Sequence, residues 1–182
     1  PKIVPLTNKN IYSSAENISK SLNLSEADHC LNIMPLFHIH GLIAILAASI
    51  KSGASVCASN GFNALKFLEL AKSEKITWYS GVPTMHQAIL LRAEKNLELA
   101  KNLNLRFIRS SSASLPPAVF EKLNSVFGCS VIEAYGMTEA THQMTSNPMP
   151  PKKQMPGFVG IPAGPEVCIM DEKDKILNQG ET

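Results

Sequence analysis

The sequence predicts an α/β fold: a parallel-sheet subdomain with flanking helices. Short apolar segments typical of strands alternate with longer helical segments at intervals of about 20–30 residues. Most of the strand segments are apolar on both faces, which favours a parallel sheet covered by helices on both sides. Polar or glycine-containing clusters follow three of the segments, and ligands of such sheets bind beyond the carboxyl ends of the strands.

The first half of the chain supplies three strands and four helices. Thr7 is a good N-cap for a helix that continues to about Leu22 and repeats apolar residues on one face. Asn63 can cap the helix 64–75, and Pro83 precedes a helix that starts at Thr84 and ends near Glu94. An apolar helix begins at 41 and stops at the glycine at 53, and strands are predicted at 30–35, 54–58 and 76–80.

The second half continues the alternation and then changes. Strands are predicted at 105–110 and 130–134, with a helix between them that opens at Pro116 and Pro117 and stops at Gly128. After Tyr135 several prolines punctuate a polar stretch, and a strand is expected at 166–171. We therefore divide the chain into residues 1–147, an α/β sheet subdomain, and residues 148–182, a proline-rich connection leading into a further, truncated β subdomain.

The composition argues against several classes of protein: nucleic-acid-binding, membrane-spanning and disulfide-bonded proteins. Of 182 residues, 45% are apolar and 18% charged, with a net charge of +2, which is too weak to indicate nucleic acid or an anionic membrane as a partner. The longest apolar run, 41–50, is about half of the roughly twenty residues that a membrane span requires. Four cysteines lie far apart in apolar or strand-like contexts without a CxxC pair, so we expect reduced core thiols and a cytoplasmic protein.

The cluster YGMTEATH, residues 135–142, has the residue types of a phosphate and metal site. Gly136 permits a tight turn near a ligand, Thr138 can donate to a phosphate oxygen, and Glu139 is a plausible Mg²⁺ ligand. The alternative is an ordinary capped loop in which Glu139 is solvated. Placement after a buried strand favours the functional interpretation.

The other two clusters carry serines and histidines. SSSASLP, 110–116, offers small side chains that would let a planar ring approach the backbone, although Ser114 could simply cap the next helix. In PLFHIHG, 35–41, His38 and His40 would point the same way on an extended segment. His142 is the one candidate for a third zinc ligand, but no cysteine or acidic cluster supports a zinc site.

Several of these motifs together resemble the adenylate-forming superfamily of acyl- and aryl-CoA synthetases, luciferases and peptide-synthetase adenylation domains. EAYGMTEAT (133–141) is similar to its adenine-and-phosphate motif, and MPLFHIHG (34–41) to the gate of its acyl pocket. Pro1 and Lys2 look like the end of its phosphate loop, and the terminal GET (180–182) also falls in the family's order. The resemblance implies a fragment of the large N-terminal domain, which we expect to be inactive alone.

The resemblance implies ATP, Mg²⁺ and CoA as cofactors and assigns roles to residues. Catalytic roles fall to Thr138, Glu139 and His38, with Glu139 holding the metal. Nucleotide binding falls to Lys2, Ser112, Ala113, Ser114, Glu133, Ala134, Tyr135, Gly136 and Thr138. Substrate binding falls to His38, His40, Ser111 and His142.

The imidazoles suggest which acid is bound. A protonated His142 could pair with a second carboxylate, and FIRSSSASLPP with EAYGMTEATHQMTSNP most resembles oxalate–CoA ligases, so oxalate is the preferred substrate and malonate the next. The alternatives are a fatty- or aryl-acid ligase, in which His142 faces solvent, a carrier-loading adenylation domain, and a non-catalytic nucleotide-binding module. We expect the partners to be a small carboxylate and a nucleotide, and surfaces exposed by truncation to promote self-association. Localisation in the peroxisome is the alternative to the cytoplasm.

Overall fold

The computed structural model describes residues 2–178 and 180–181 and contains a mostly parallel sheet of seven strands in the order β2-β1-β3-β4-β5-β6-β7. Pro1 and Thr182, which belong to the terminal motifs noted above, lie outside the described residues. The strands are β1 His29–Asn32, β2 Ser55–Ala58, β3 Trp78–Gly81, β4 Phe107–Ser110, β5 Ser130–Met137, β6 His142–Ser146 and β7 Ile161–Pro162. The first five pair in parallel, and β6 and β7 are added antiparallel.

Helices cover both faces of this sheet, as predicted. They are α1 Asn8–Ser21, α2 Ala48–Lys51, α3 Phe67–Ser73, α4 Pro83–Ala93, α5 Leu97–Lys101 and α6 Pro117–Phe127. A π-helical segment, His40–Ala47, leads directly into α2. Thr7 caps α1 through a reciprocal pair of hydrogen bonds with Asn10, which satisfies donors that the first turn leaves free. Within the described residues, no helix is long and apolar enough to cross a bilayer.

Two hydrophobic cores lie on opposite faces because successive strand residues point to opposite sides. Tyr79 and Ile108 belong to the larger core, under α3, α4 and α6. Trp78 and Phe107 belong to the smaller core, under α1 and the π-helical segment, where their rings stack with centroids 5.1 Å apart. Arg109 has the same parity as Phe107 and therefore faces the α1 side.

Besides the short strand β7 and the π-helical start of the helix expected at 41–53, which were not predicted, the structure differs from the sequence prediction at four elements. Helix α3 begins at Phe67, because the side chain of Asn63 accepts from two backbone N–H groups and forms a turn there instead. Helix α5 was not anticipated. The strand expected at 166–171 is absent, and Met170 instead forms an isolated antiparallel bridge with Ile176. Cys168 is exposed, unlike the core thiols Cys30 and Cys129.

The fourth difference bears directly on the function. Strand β5 continues to Met137, and the chain returns as β6 after a short 3-10 turn, Thr138–Ala140. The sequence HQMTS of β6 lacks an apolar run, yet four of its five residues are buried. The division proposed at residue 147 stays a prediction.

Candidate active site

Two cavities lie side by side at the carboxyl ends of β4 and β5 and share Ser112 and Gly136 in their walls. The first, about 280 Å³, is lined by Ser110, Ser112, Ala113, Ser114, Glu133, Ala134, Tyr135, Gly136, Gly157 and Val159. The second, about 250 Å³, is lined by His38, Ile39, Ser112, Gly136, Met137, Thr138, Glu139 and His142. We call them the serine cavity and the histidine cavity. A larger cavity of about 390 Å³ beside β2 contains none of the predicted site residues.

The serine cavity gathers nearly all the residues predicted for the adenine side. The small side chains of this cavity come from the loop after β4. The half-exposed ring of Tyr135 lies at the edge of the cavity. Glu133 accepts a hydrogen bond from the backbone N–H of Gly157 at 2.9 Å and so fastens the next loop over the cavity. Burial raises the pKa of Glu133, while that hydrogen bond partly opposes the rise.

Ser111, predicted to bind the acid, occupies a different position. It is buried, and its hydroxyl donates to the backbone carbonyl of Ala134 at 2.9 Å. Neither cavity is lined by it. In the structure, Ser111 joins the loop after β4 to β5.

Glu139 lies on the rim of the histidine cavity and is exposed to solvent. It accepts a hydrogen bond from the ammonium of Lys2 at 3.0 Å. Its own backbone N–H, together with Lys2, lowers the pKa of the carboxyl group, so Glu139 is ionised at neutral pH. Among residues 2–178 and 180–181, no three His, Cys, Asp or Glu side chains converge on a metal position. A single ionised carboxylate suits Mg²⁺, which takes its other ligands from phosphate oxygens and water.

The three histidines converge, although not through the extended segment that the sequence suggested. His38 lies in an exposed turn, and its Nδ1 accepts from the backbone N–H of His40 at 3.1 Å as the chain enters the π-helical segment. His40 is fully buried, and its ring lies 5.4 Å from that of His142, centroid to centroid. His38 and His142 line the same cavity.

The expectation of a protonated His142 is wrong for the protein without ligand. Burial, then the charge of Arg109, then His38 lower the pKa of His142 well below 6.5. Burial and Arg109 act on the pKa of His40 in the same direction. Both imidazoles are therefore neutral at physiological pH and act as hydrogen-bonding groups. The ring Nδ1 of His142 is buried without a partner among the described residues.

Arg109 on β4 is the functional candidate that the motif search missed. Its guanidinium is completely buried and forms none of the ion pairs found among the described residues. It donates to the hydroxyl of Ser80 at 3.4 Å and to the side-chain oxygen of Gln143 at 3.2 Å, while its Nε has no partner. Burial lowers the pKa of Arg109 to about 10, which leaves it charged at neutral pH. An arginine inside the apolar strand FIRS was the available signal, since arginine is rarely fully buried.

Strained backbone fixes two of the lining side chains. Of the six non-glycine residues with positive φ that the structure describes, Ser112 (74°), Thr141 (55°) and His142 (96°) lie at this site. Such conformations cost free energy and persist where surrounding contacts enforce them. One of these contacts is a buried 2.6 Å hydrogen bond from the hydroxyl of Ser14 on α1 to the carbonyl of Thr141.

Comparison with known proteins shows the family. A sequence model described as "AMP-binding enzyme" matches residues 1–182. The chain is 46% identical to an oxalate–CoA ligase of Arabidopsis thaliana over 187 aligned positions, covering 100% of this chain and 36% of that relative. An oxalate–CoA ligase of Saccharomyces cerevisiae is 42% identical, with coverage of 100% and 33%. The crystal structure of ATP-bound MatB from Rhodopseudomonas palustris superposes with a TM-score of 0.86 at 28% identity, covering 97% of this chain and 34% of that one.

These comparisons confirm the resemblance inferred from the motifs and the fold class predicted from the strand–helix alternation. The chain spans about a third of the length of the relatives and of the solved structure that it matches. The family match covers every residue of the chain, and relatives above 40% identity cover it from end to end. The protein therefore belongs to the AMP-binding enzyme family.

Proposed function

We propose that this chain is the part of an AMP-forming acid–CoA ligase that holds the nucleotide and the acid, and that the acid is oxalate. One observation carries the proposal: the serine and histidine cavities share a wall at Ser112 and Gly136. A nucleotide on one side and a small acid on the other would meet at that wall. The names of the Arabidopsis thaliana and Saccharomyces cerevisiae relatives, at 46% and 42% identity, support oxalate over other acids.

In the proposed first step, a carboxylate oxygen of the acid attacks the α-phosphorus of ATP and the bond to pyrophosphate breaks, which leaves an acyl-adenylate. Tyr135 would stack on the adenine beside the small residues of the serine cavity. The hydroxyl of Thr138 and the ammonium of Lys2 would contact phosphate oxygens. Glu139 would hold Mg²⁺, which would neutralise negative charge on the phosphates.

In the second step, a thiolate attacks the acyl carbon and AMP leaves. CoA is the thiol we propose, and a carrier-protein thiol is the alternative. Holding the reactants in position supplies much of such catalysis, and two adjacent cavities that share a wall suit that role.

The histidine cavity suits a small polar acid better than a fatty or aryl acid. It has a volume of about 250 Å³, and its lining contains two imidazoles, two hydroxyls and a carboxylate beside the apolar side chains of Ile39 and Met137. His38 would stand at its entrance, because its side chain is exposed there. His142 would contribute a neutral N–H group to the second carboxylate of oxalate. His40, whose two ring nitrogens contact Ser80 and Ser112, would support the acid from behind the cavity wall through Ser112.

Three further proposals concern the rest of the protein. Residues 1–147 would form the unit that carries both sites, and 148–182 would lead into a further β subdomain. The chain alone would neither adenylate an acid nor transfer it, and its exposed apolar side chains would favour self-association. The cytoplasm is the proposed compartment, with the peroxisome as the alternative.

The test is acid-dependent pyrophosphate exchange by the full-length protein with oxalate, malonate, acetate, a long-chain fatty acid and coumarate. We expect oxalate to give the highest kcat/KM and CoA to accept the acyl group. A higher value for the fatty acid or coumarate would overturn the substrate, and exchange with none of them would overturn adenylation. Transfer to a carrier protein instead of CoA would favour the carrier-loading alternative.

A further inference from the structure

Four polar side chains form a continuous hydrogen-bonded chain from the protein interior to the shared cavity wall. Arg109 Nη1 lies 3.4 Å from Ser80 Oγ, and Ser80 Oγ lies 2.7 Å from His40 Nε2. His40 Nδ1 lies 3.0 Å from Ser112 Oγ. Arg109, Ser80 and His40 are fully buried, whereas Ser112 is exposed in the walls of both cavities.

The chemistry of the buried end fixes the direction of every hydrogen bond in this chain. A guanidinium has five N–H donors and no acceptor, so Ser80 Oγ must accept from Arg109. The one hydroxyl proton of Ser80 then has a single acceptor among the described residues, which is His40 Nε2. A neutral imidazole that accepts at Nε2 carries its proton on Nδ1, and this proton is donated to Ser112 Oγ. The hydroxyl proton of Ser112 is left free to point into the cavities.

The opposite direction leaves a buried group unsatisfied. If Ser112 donated to His40, the ring would carry its proton on Nε2 and donate to Ser80. Ser80 Oγ would then accept from both His40 and Arg109, and its own hydroxyl proton would have no acceptor among the described residues. An unpaired buried donor costs free energy, and the low dielectric of the interior makes the penalty larger.

We propose that Arg109 is a positioning residue that, through Ser80 and His40, orients the hydroxyl of Ser112 as a hydrogen-bond donor to a carboxylate oxygen of the bound acid. The identity of that acid rests on the function proposed above, whereas the direction of the chain does not. Burying a cation without a carboxylate partner is costly. The location beside an acid-binding cavity accounts for that cost, because the charge of Arg109 also favours an anion there.

A second branch holds the guanidinium in place. Arg109 Nη2 donates to Gln143 Oε1 at 3.2 Å, and Gln143 Nε2 donates to Ser21 Oγ on α1 at 2.9 Å. Strand β6 and helix α1 thus hold Nη2 of the guanidinium, while Nη1 reaches Ser80.

The direct test is the tautomer of His40 in the full-length protein labelled with ¹⁵N-histidine, measured from long-range ¹H–¹⁵N couplings at pH 7.5. Loss of a signal in His40→Asn assigns the resonances. We expect the Nδ1–H tautomer in the wild type and in Arg109→Lys, because an ammonium group also lacks an acceptor. Arg109→Met and Ser80→Ala should both shift His40 toward the Nε2–H tautomer. An Nε2–H ring in the wild type, or a tautomer that neither substitution alters, overturns the proposal.

The kinetic test is a double-substitution cycle on pyrophosphate exchange with oxalate. Loss of one hydrogen bond to a charged group corresponds to about a tenfold fall in kcat/KM. We expect this fall for Arg109→Met alone and for Ser112→Ala alone. Arg109→Lys should keep a kcat/KM close to that of the wild type. The double variant should be within about twofold of Ser112→Ala, since residues that act as one unit are not additive. Losses that multiply would mean that Arg109 does not act through Ser112.

Arg106→Met is the matched control, because Arg106 directly precedes the same strand but pairs with Asp28 at its opposite end. It should lower the melting temperature and leave both the His40 tautomer and KM for oxalate unchanged. If Arg109→Met does not fold, Ser80→Ala breaks the chain at its next link and decides both tests. A wild-type protein without oxalate exchange would refute the proposed function, while the tautomer would still decide the direction of the chain.

Discussion

The two arginines at the ends of β4 show how differently the two edges of the sheet are built. Arg106, at the amino end, makes a paired contact with Asp28, with its Nε 3.0 Å from Oδ1 and its Nη2 2.9 Å from Oδ2. Thr77 donates to the same carboxylate at 2.9 Å, and the backbone N–H of Ser25 donates at 3.0 Å. Among the residues that the structure describes, Arg109, at the carboxyl end, has hydroxyl and amide partners only, and its Nε is unpaired.

The contrast extends beyond the arginines. At the carboxyl edge, the buried polar atoms that lack a partner within residues 2–178 and 180–181 include Arg109 Nε, His142 Nδ1, Ser110 Oγ and Thr145 Oγ1. Unsatisfied buried groups are uncommon in folded proteins and call for an explanation. At the amino edge Trp78 Nε1 is also buried without a partner among the described residues, but the charged and hydroxyl groups around Asp28 are hydrogen-bonded to one another and serve stability. The carboxyl edge leaves groups unsatisfied and strains its backbone, which is what a binding site requires when ligand atoms complete it.

Gly136→Ala should have the largest effect on activity, because it displaces the strands that form the carboxyl edge of the sheet. A β-carbon at this position would overlap the backbone carbonyl of His142, so β5 and β6 must separate. We expect acid-dependent pyrophosphate exchange to fall about 100-fold or more, since a displacement of about 1 Å can cost that much. Gly81→Ala is the control, because its β-carbon would meet neighbours at 3.4 Å and beyond. Near-normal exchange in Gly136→Ala would show that the turn does not position His142.

Asp28→Ala should destabilise the fold at the amino edge of the sheet and leave substrate binding at the carboxyl edge unchanged. It leaves the guanidinium of Arg106 without its carboxylate and removes the acceptor of Thr77. Removing one partner of a largely buried ion pair costs about 3 kcal/mol of unfolding free energy, measured by urea denaturation of the full-length protein. KM for oxalate in the folded variant should be unchanged. A change in KM without loss of stability would contradict the division between the two edges.

A smaller effect is expected in the pH dependence of stability. His142 stays neutral in the folded protein because its pKa is lowered, but it binds a proton near pH 6.5 when unfolded. The unfolded state therefore binds more protons below that pH, and this contribution to stability is complete above pH 6.5 and is lost as the pH falls. His86, whose pKa burial lowers to about 4, acts in the same direction.

The variant His142→Ala isolates one of these contributions. Between pH 6.5 and 5 it should lose on the order of 1 kcal/mol less unfolding free energy than the wild type, because the carboxylates common to both proteins cancel. Denaturant unfolding at the two pH values measures the difference. Parallel curves for the two proteins would mean that His142 titrates normally in the folded state.

Sequence patterns located the edge better than they described its geometry. Strand ends, small residues and glycine placed the clusters around Ser112 and Gly136 because the carboxyl ends of parallel strands meet at one edge. The pattern could not reveal β6, whose buried side chains are polar. Gln143 is held by Ser21 on α1 and by the carbonyl of Ala163, whereas His142 Nδ1 and Thr145 Oγ1 have no partner among the described residues. The neutral state of His142 depends on burial and on Arg109, which adjoins it only after folding.

The most direct test of the contrast between the two edges is calorimetric titration of oxalate into the full-length protein saturated with a non-hydrolysable ATP analogue, for the wild type and His142→Ala. We predict that the substitution weakens oxalate binding about tenfold, while the unfolding free energy at pH 7.5 changes by less than about 1 kcal/mol. Equal oxalate affinity together with a marked loss of stability would contradict this prediction. It would place His142 with Asp28, among the residues that hold the fold together.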